Sequence, residues 1–244
     1  MSRRILVLAG TGEAKELCAR LRDADIDAVA SLAGATRTPD ALAVTTRHGG
    51  FGGADAFADY LAQEDIQAVV DATHPFASAM SLRSAEVCRT RGVGYLQLLR
   101  PAWASQKGDQ WTLIDQEEDA ARIIGPRSTV FLATGRQTLE RFVNLQGRRV
   151  ICRQIDPPTK PFPFEGGEYL IGRPPFTVLD ETILFRQLGV DWLVVKNAGG
   201  TASRSKLDAA RALKLRVAMI NRPPQPEAPK VATVQEAFEW VKAL

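Results

Sequence analysis

Short apolar runs alternate with longer amphipathic stretches along almost the whole chain. Ile5-Leu6-Val7-Leu8 predicts a first buried strand, and residues 13–22 carry their apolar side chains at the spacing of one helix face. The same pattern predicts further strands at 28–32, 68–71, 95–99, 111–114, 129–133, 149–152, 192–196, 216–220 and 230–234. Helices are predicted at 54–63, 78–91, 137–142, 180–188 and 203–213. This alternation is typical of βαβ units around a parallel sheet, so we predict an α/β protein.

The alternation of predicted strands and helices in the first half of the chain repeats in the second half. Residues 111–114 lead into an acidic helix start, and residues 230–234 do so again near the C-terminus. This echo predicts two similar α/β domains, with a boundary between Pro101 and Pro126. A coincidence between two ordinary βα units is the alternative.

Composition and charge exclude several classes of protein. The 244 residues are 45% hydrophobic and 24% charged, the usual mix of a soluble globular protein, which excludes a disordered chain, a collagen and a coiled coil. No apolar run is long enough to span a bilayer, and the N-terminus does not resemble a signal peptide, so we expect no membrane partner. A net charge of +3 does not indicate a nucleic-acid-binding surface, but it suits an anionic small molecule bound by a few arginines.

The three cysteines, Cys18, Cys88 and Cys152, are scattered along the chain and form no C-x-x-C motif. Neither a zinc site nor a disulfide framework is therefore expected, and we predict no metal. Unpaired cysteines of this kind are typical of a reducing compartment, so we expect the protein to be cytoplasmic.

A glycine loop follows the first predicted strand. Gly10, Thr11, Gly12 and Glu13 stand between that strand and the first helix, where an α/β fold binds phosphates because glycines let the backbone approach and helix N–H groups face the anion. Lys15 stands where the dinucleotide fingerprint has its third glycine, so the motif alone is a weak signal. A tight turn without a ligand is the alternative.

The end of the second predicted strand carries no carboxylate. NAD-binding proteins hold the ribose with an acidic residue about 20 positions after the loop, but here Ser31 and Gly34 occupy that region. Thr36, Arg37 and Arg47 supply a hydroxyl and cations that suit a 2′-phosphate. The sequence therefore favours NADP(H) over NAD(H), unless the two arginines are solvated surface residues.

The strand predicted at 68–71 runs into Asp71-Ala72-Thr73-His74-Pro75-Phe76-Ala77. Because the carboxyl ends of parallel strands face the ligand crevice, we assign Asp71, Ala72 and Thr73 to the cofactor site. His74 lies where a ligand would lie, and we take it as a candidate catalytic residue. A turn residue bonded to the backbone is the alternative for His74.

Five segments, spread over essentially the whole chain, together resemble the precorrin-6A reductase family of cobalamin biosynthesis. They are residues 5–14, 31–34, 47–53, 71–77 and 196–200. The string 71–77 is the most specific of them. Ala9 stands where the family often has glycine, and Ala35 where it often has arginine. The second departure leaves recognition of a 2′-phosphate to Arg37 or Arg47.

The resemblance implies a fold and a reaction. It implies two Rossmann-like parallel-sheet domains with a cleft between them, which we place at 1–105 for NADPH and 106–244 for the substrate, with elements free to cross between the halves. It also implies NADPH-dependent reduction of a ring double bond of precorrin-6A, an anionic tetrapyrrole, to give precorrin-6B. Transient contact with neighbouring pathway enzymes would fit such a role.

A hydride reduction also needs a proton at some stage. His74 and Lys196 are the candidate donors, with water or the substrate itself as alternatives. Carboxylate arms of the implied substrate suit arginine, and residues near the carboxyl ends of predicted strands in the second half are assigned to bind them. These residues are Arg136, Asn197, Gly200 and Arg222.

Two loops are candidate covers for a flat ring. Phe51 lies within the glycine-rich segment 49–53 and is assigned to the substrate, with simple core packing as its alternative. Arg153, Lys160 and Arg173 lie in or near a proline-rich loop that is a candidate lid.

Two other function classes stay open. An S-adenosylmethionine-dependent tetrapyrrole methyltransferase would use a similar glycine loop, although the second predicted strand lacks the acidic end that usually holds the ribose. A non-catalytic module that binds NADPH or a tetrapyrrole is the other class. The sequence also leaves open whether the substrate contains cobalt.

Overall fold

A computed structural model describes residues 3–33, 41–201 and 203–244. The strands are β1 Arg4–Leu8, β2 Ala28–Leu32, β3 Thr45–His48, β4 Ile66–Asp71, β5 Gly94–Leu98, β6 Gln110–Ile114, β7 Thr129–Leu132, β8 Arg149–Gln154, β9 Gly167–Ile171, β10 Trp192–Lys196, β11 Arg216–Ile220 and β12 Lys230–Val231. The α-helices are α1 Gly12–Asp23, α2 Ala54–Gln63, α3 Ser78–Arg91, α4 Ala120–Ile123, α5 Val178–Leu188, α6 Ser205–Leu213 and α7 Val234–Lys242. Short 3₁₀ helices cover Glu117–Asp119 and Leu139–Leu145. The α/β class and its parallel sheets are confirmed.

The first of two compact units comprises Met1–Pro101 and Pro223–Leu244. Its sheet has the order β12-β5-β4-β1-β2-β3, and neighbouring strands pair in parallel. Along β1, Ile5 and Val7 pack in one apolar cluster while Leu6 and Leu8 pack in another. Because successive side chains of a strand face opposite sides, β1 is buried on both faces, as expected for the centre of a doubly wound sheet.

The second unit comprises Ala102–Arg222 and has the sheet order β6-β11-β10-β7-β8-β9, also parallel. This order matches that of the first unit strand for strand. In each unit one edge strand, β12 beside β5 and β6 beside β11, is separated along the chain from the strand it pairs with or precedes the other strands of its sheet. The chain leaves β5 of the first unit to form β6 of the second, and it leaves β11 of the second to form β12 of the first.

The C-terminal segment differs from the expected division at residues 105 and 106. Pro223–Leu244 belong to the first unit, because Val234, Ala237 and Val241 of α7 are buried in the cluster that also holds Leu17 of α1. A capping box fixes the start of α7: the Thr233 hydroxyl accepts from the Glu236 amide, and the Glu236 carboxylate accepts from the Thr233 amide. The two strand–helix segments noted in the sequence are therefore both present. The one at β6 follows the first unit along the chain but belongs to the second, and the one at β12 and α7 follows the second unit but belongs to the first.

The three cysteines are free thiols buried in the cores. Burial raises the pKa of the Cys18 thiol to about 11 and of the Cys88 and Cys152 thiols to about 12, so all three are protonated near neutral pH. Within the described ranges, no helix is both long and apolar enough to cross a membrane.

Candidate functional site

The first unit has a switch point between β1 and β4. From β1 the chain proceeds to β2 and β3 on one side, whereas from β4 it proceeds to β5 on the other. Ligands of open α/β sheets bind at the carboxyl ends of such strands. Residues 10–12 follow β1, and residues 71–73 begin at the last residue of β4, so the two predicted loops meet there. The Thr11 hydroxyl joins them, because it donates to the Ala72 carbonyl at 2.8 Å and accepts from the Ala14 amide at 3.2 Å.

The glycine loop has the geometry that close approach of an anion requires. Gly10 has a φ of +148°, which favours glycine. Apart from its chain neighbours and the backbone of its own helix, no described residue comes within 4 Å of the position that a β-carbon on Gly12 would take, so the start of α1 is open. Glu13 in the first turn would repel a diphosphate, but its carboxylate is paired with Arg100 at 2.7 Å. The N-terminus of α1 therefore keeps its attraction for an anion.

Arg47 is held at the carboxyl ends of β2 and β3. Its guanidinium donates to the Ser31 hydroxyl at 2.7 Å and to the carbonyls of Gly49 and Gly50 at 3.0 and 3.3 Å. It also lies 4.0 Å from the centre of the Phe51 ring. These contacts fix a cation and a hydroxyl beside a strand end that carries no acid.

Phe51 packs within the first unit. Its ring meets those of Phe57 and Tyr60 edge-on, with centroid distances of 4.7 and 5.1 Å. This is the core-packing alternative for Phe51, and it places the residue in a different unit from Arg136, Asn197, Gly200 and Arg222.

Asp71 organises the turn that follows β4. One carboxylate oxygen accepts from the amide and hydroxyl of Thr73, at 3.0 and 2.7 Å, and the other accepts from the Tyr95 hydroxyl at 2.7 Å. Burial, and then the Asp71 charge, raises the pKa of Tyr95, so the phenol remains a donor. Both oxygens of Asp71 are thus used to shape the loop, and Asp71 is 1% exposed.

His74 closes the same turn. Its Nδ1 accepts from the Phe76 amide at 3.2 Å, which requires the neutral ring to carry its proton on Nε2. Gln225, from the segment that returns from the second unit, donates to the Pro75 carbonyl at 2.9 Å. The turn is therefore tied to a distant part of the chain, a contact that no local sequence motif could indicate.

In the second unit the corresponding switch point lies between β7 and β10. Lys196, at the end of β10, is 3.3 Å from a Glu117 carboxylate oxygen and donates to the Thr138 hydroxyl at 3.1 Å. The other oxygen of Glu117 is 2.7 Å from Arg141, so one buried carboxylate joins two cations. The sequence indicated Lys196 but gave no sign of Glu117, which lies in an acidic helix start typical of a solvated surface.

The loop 197–200 is rigidly held. The Asn197 side chain accepts from the Trp103 amide at 2.8 Å and donates to its carbonyl at 3.0 Å, and the Trp103 indole donates to the Gly200 carbonyl at 2.7 Å. Arg222 donates to the carbonyls of Asn197 and Ala198 at 2.8 and 3.0 Å. The amide of Asn197 is thus engaged in shaping the loop, and Trp103 is a supporting residue that the sequence did not reveal.

Arg153 is not part of a lid. Its guanidinium makes two hydrogen bonds to Glu181 of α5, at 2.8 and 2.7 Å, and lies 4.1 Å from the centre of the Phe176 ring. Arg153 is 9% and Glu181 1% exposed. The lid interpretation of Arg153 is therefore wrong, because the second-to-last position of β8 faces the core. Burial, and then the Arg153 charge, lowers the pKa of the neighbouring Lys206 to about 8.

The remaining predicted site residues are distributed as follows. Arg136 follows β7 and is exposed, and Lys160 is exposed in the loop after β8. Gly34, Thr36 and Arg37 lie outside the described residues. The structure thus places the residues predicted to bind the cofactor, 10–13, 31, 47 and 71–73, in the first unit together with His74. Arg136, Lys196, Asn197, Gly200 and Arg222 lie in the second unit.

Two doubly wound parallel sheets, one with a glycine loop at its switch point, define a Rossmann-like α/β protein. The family model described as "Precorrin-6x reductase CbiJ/CobK" matches residues 4–242. The chain belongs to this precorrin-6x reductase family, and membership of a reductase family implies a nicotinamide cofactor.

Individual relatives agree along the whole chain. It is 43% identical to the precorrin-6A reductase of Rhodococcus erythropolis, over 99% of this chain and 98% of that one. It is 27% identical to the cobalt-precorrin-6A reductase of Priestia megaterium, over 97% and 96% of the two chains. The solved structure of a CobK precorrin-6A reductase superimposes with a TM-score of 0.94 at 40% identity, covering 99% of this chain and 96% of that one.

Proposed function

We propose that this protein reduces a ring double bond of precorrin-6A with NADPH, giving precorrin-6B in cobalamin biosynthesis. The observation that carries the proposal is the similarity to precorrin-6A reductases at 38–43% identity over 98–99% of the chain. The glycine loop at the first switch point fits the dinucleotide, and the cationic strand ends of the second unit suit an anionic tetrapyrrole.

The cobalt-free substrate is favoured over its cobalt-containing counterpart. The relatives named precorrin-6A reductase are 38–43% identical to this chain, whereas the relative named cobalt-precorrin-6A reductase is 27% identical. We therefore assign precorrin-6A without a metal as the substrate. Side-by-side turnover of the two tetrapyrroles measures this preference directly.

The residues of the first unit fit NADPH. Residues 10–13, at the open start of α1, would hold the diphosphate, with residues 71–73 forming the neighbouring wall. Ser31 and Arg47 would meet the 2′-phosphate, together with Gly34, Thr36 and Arg37 as predicted from the sequence. When bound, the reduced nicotinamide supplies the hydride. The protein orients the cofactor and the tetrapyrrole, and the proton that accompanies the hydride comes from one of its side chains, from water or from the substrate itself.

Arg47 provides a test of cofactor choice. We expect the protein to bind NADPH at least about tenfold more tightly than NADH, and Arg47→Gln to remove about tenfold of NADPH affinity while NADH affinity stays unchanged, because only NADPH carries the second phosphate. Fluorescence titration measures both. Arg216→Gln is the control, since Arg216 also lies over an aromatic ring but in the second unit. Equal losses of affinity for NADPH and NADH would indicate that Arg47 stabilises the fold and does not contact the 2′-phosphate.

The cationic groups at the carboxyl edge of the second unit are proposed to hold the substrate. Arg136 and Lys196 offer charges to its carboxylates, and the rigid loop 197–200, braced by Arg222, offers a fixed backbone. Lys196 also remains a candidate proton donor, with Glu117 and Thr138 holding its ammonium in place. Phe51 stays in the proposed set as the aromatic residue of the glycine-rich segment 49–53.

His74 is the other candidate proton donor. Since Nδ1 is occupied by the Phe76 amide, Nε2 is the nitrogen that can donate. We expect His74→Ala to lower kcat at least about tenfold and to leave NADPH affinity unchanged. His48→Ala, which changes an exposed histidine at the end of β3, is the matched control. Near-normal turnover of His74→Ala would remove the imidazole from the reaction.

One assay separates the proposed function from its alternatives. Purified protein is mixed with NADPH and precorrin-6A, and the nicotinamide absorbance is followed. Oxidation of NADPH that depends on the tetrapyrrole supports the reductase. Methyl transfer from S-adenosylmethionine to the tetrapyrrole, or binding without turnover, would favour one of the other two classes. We also propose that the reaction takes place in the cytoplasm, with the substrate passed on by transient contact between pathway enzymes.

A further inference from the structure

A small pocket lies in the second unit beside the carboxyl end of β8. Its volume is about 170 Å³, and its walls include Arg136, Gln154, Lys160, Tyr169 and Glu140. Sites for whole organic ligands usually measure about 300–1,000 Å³, so this pocket suits a side arm rather than a ring. It lies at the sheet edge that carries the proposed substrate residues.

Gln154 gives the pocket a donor without a partner. The residue is 6% exposed, yet its Nε2 has no hydrogen-bond partner among the described residues. Leaving a buried donor unsatisfied is unfavourable, typically by about 1–3 kcal/mol, so such groups usually meet a ligand or water. Thr134 repeats the observation in the loop that follows the neighbouring strand β7: its hydroxyl is also buried and, within the described part of the chain, unpartnered. The last paired residues of β7 and β8 are Leu132 and Cys152, so Thr134 and Gln154 each lie two positions after a paired residue.

The charged side chains around the pocket favour the binding of an anion. Arg136 and Lys160 contribute two cations to its walls, and Glu140 contributes one carboxylate. The balance is positive, and an amide N–H together with a guanidinium and an ammonium are the groups that bind carboxylates with charge-assisted hydrogen bonds.

The wall that carries Lys160 is anchored. The Tyr169 hydroxyl donates to the Pro161 carbonyl at 3.4 Å, and the Phe162 ring packs against Phe164 and Tyr169 with centroid distances of 4.9 Å in both cases. A side chain on Gly167 would overlap the Phe162 ring, so a glycine is needed there to let the ring lie against β9. Contacts within the second unit therefore hold this wall of the pocket in place.

We propose that this pocket binds one carboxylate arm of the tetrapyrrole, with Gln154 Nε2 donating to the carboxylate and with Lys160 and Arg136 balancing its charge. The inference rests on the proposed function. Gln154 becomes a specificity-determining residue that favours ring systems bearing an acidic arm at the matching position.

The test compares Gln154→Leu and Lys160→Gln with the unaltered protein. Gln154→Leu keeps the buried volume and removes the donor, whereas Lys160→Gln changes an exposed loop residue and leaves the core untouched. We expect each to weaken equilibrium binding of precorrin-6A and to raise its KM about tenfold, with little change in kcat or in NADPH affinity. Arg127→Gln is the control, because Arg127 is an exposed residue just before the amino end of β7, whereas the pocket lies beside the carboxyl end of β8.

Binding of precorrin-6A is followed by its absorbance in the absence of NADPH, and unfolding curves verify that each variant is folded. If both variants bind and reduce precorrin-6A like the unaltered protein, the pocket does not hold the arm. If the unaltered protein itself neither binds nor reduces precorrin-6A, the proposed function fails and the subsite fails with it. A loss in Arg127→Gln as large as the losses in the two pocket variants would show that the effect is not specific to the pocket and would also contradict the subsite.

Discussion

Replacing Arg153 by methionine is expected to lower the free energy of unfolding by about 3–5 kcal/mol, because Glu181 would be left as an unpaired charge in the core. Arg153 and Glu181 are 9% and 1% exposed and share two hydrogen bonds below 3 Å. Removing the guanidinium also removes its contact with the Phe176 ring. Urea unfolding at neutral pH measures the change.

A matched control lies on the same strand. Arg149 pairs with Glu168 at 2.8 Å, but both side chains are about half exposed, so Arg149→Met is expected to alter stability by no more than about 1 kcal/mol. The double variant Arg153→Met with Glu181→Leu is expected to regain part of the loss, since no charge remains buried. A stable Arg153→Met protein with a raised KM for the tetrapyrrole would contradict the structural role and restore a substrate role.

Replacing Gly12 by valine is expected to weaken NADPH binding at least about a hundredfold, equivalent to roughly 2.7 kcal/mol, while the protein stays folded. The fold tolerates the change because no described residue lies within 4 Å of the new β-carbon and the backbone of Gly12 is not in the left-handed region. Binding suffers because the branched side chain occupies the space through which a diphosphate approaches the start of α1. Isothermal titration with NADPH, together with a melting curve, measures both quantities.

Gly125→Val supplies the comparison. Gly125 likewise has no described neighbour within 4 Å of its β-carbon position and no positive φ, but it lies in the second unit. This variant is expected to bind NADPH normally. Unchanged affinity in Gly12→Val would mean that the cofactor lies away from the glycine loop, and the proposed cofactor site would then be wrong.

The buried central strands were predictable from the sequence, and so were the edge strands β6 and β12, but the edge strands β3 and β9 were not. β1 and β10 are nearly continuous apolar runs because a central strand of a doubly wound sheet is covered on both faces. β3 and β9 lie at the sheet edges and are largely exposed or half-buried, so their residues, such as Thr45-Thr46-Arg47-His48, show neither an apolar run nor a clear alternation. Only pairing with β2 and β8 makes them strands.

The site was predictable where its chemistry depends on backbone geometry. The glycine loop and the turn 71–77 stand at strand ends, and the order of strands brings them together. The direction of individual side chains was not predictable. Arg153 and Gln154 are neighbours, yet one pairs with Glu181 in the core and the other lines a pocket. Asn197 resembles a ligand group in the sequence, but Trp103 uses both ends of its amide.

The exchange of edge strands has a consequence for dissecting the molecule. A fragment that ends near residue 105 would expose the edge of β5 and the apolar side of α1, because β12 and α7, which cover them, come from the last segment of the chain. Autonomous folding of the first unit therefore calls for a rearranged polypeptide in which Pro223–Leu244 are joined directly behind Pro101, rather than for simple truncation.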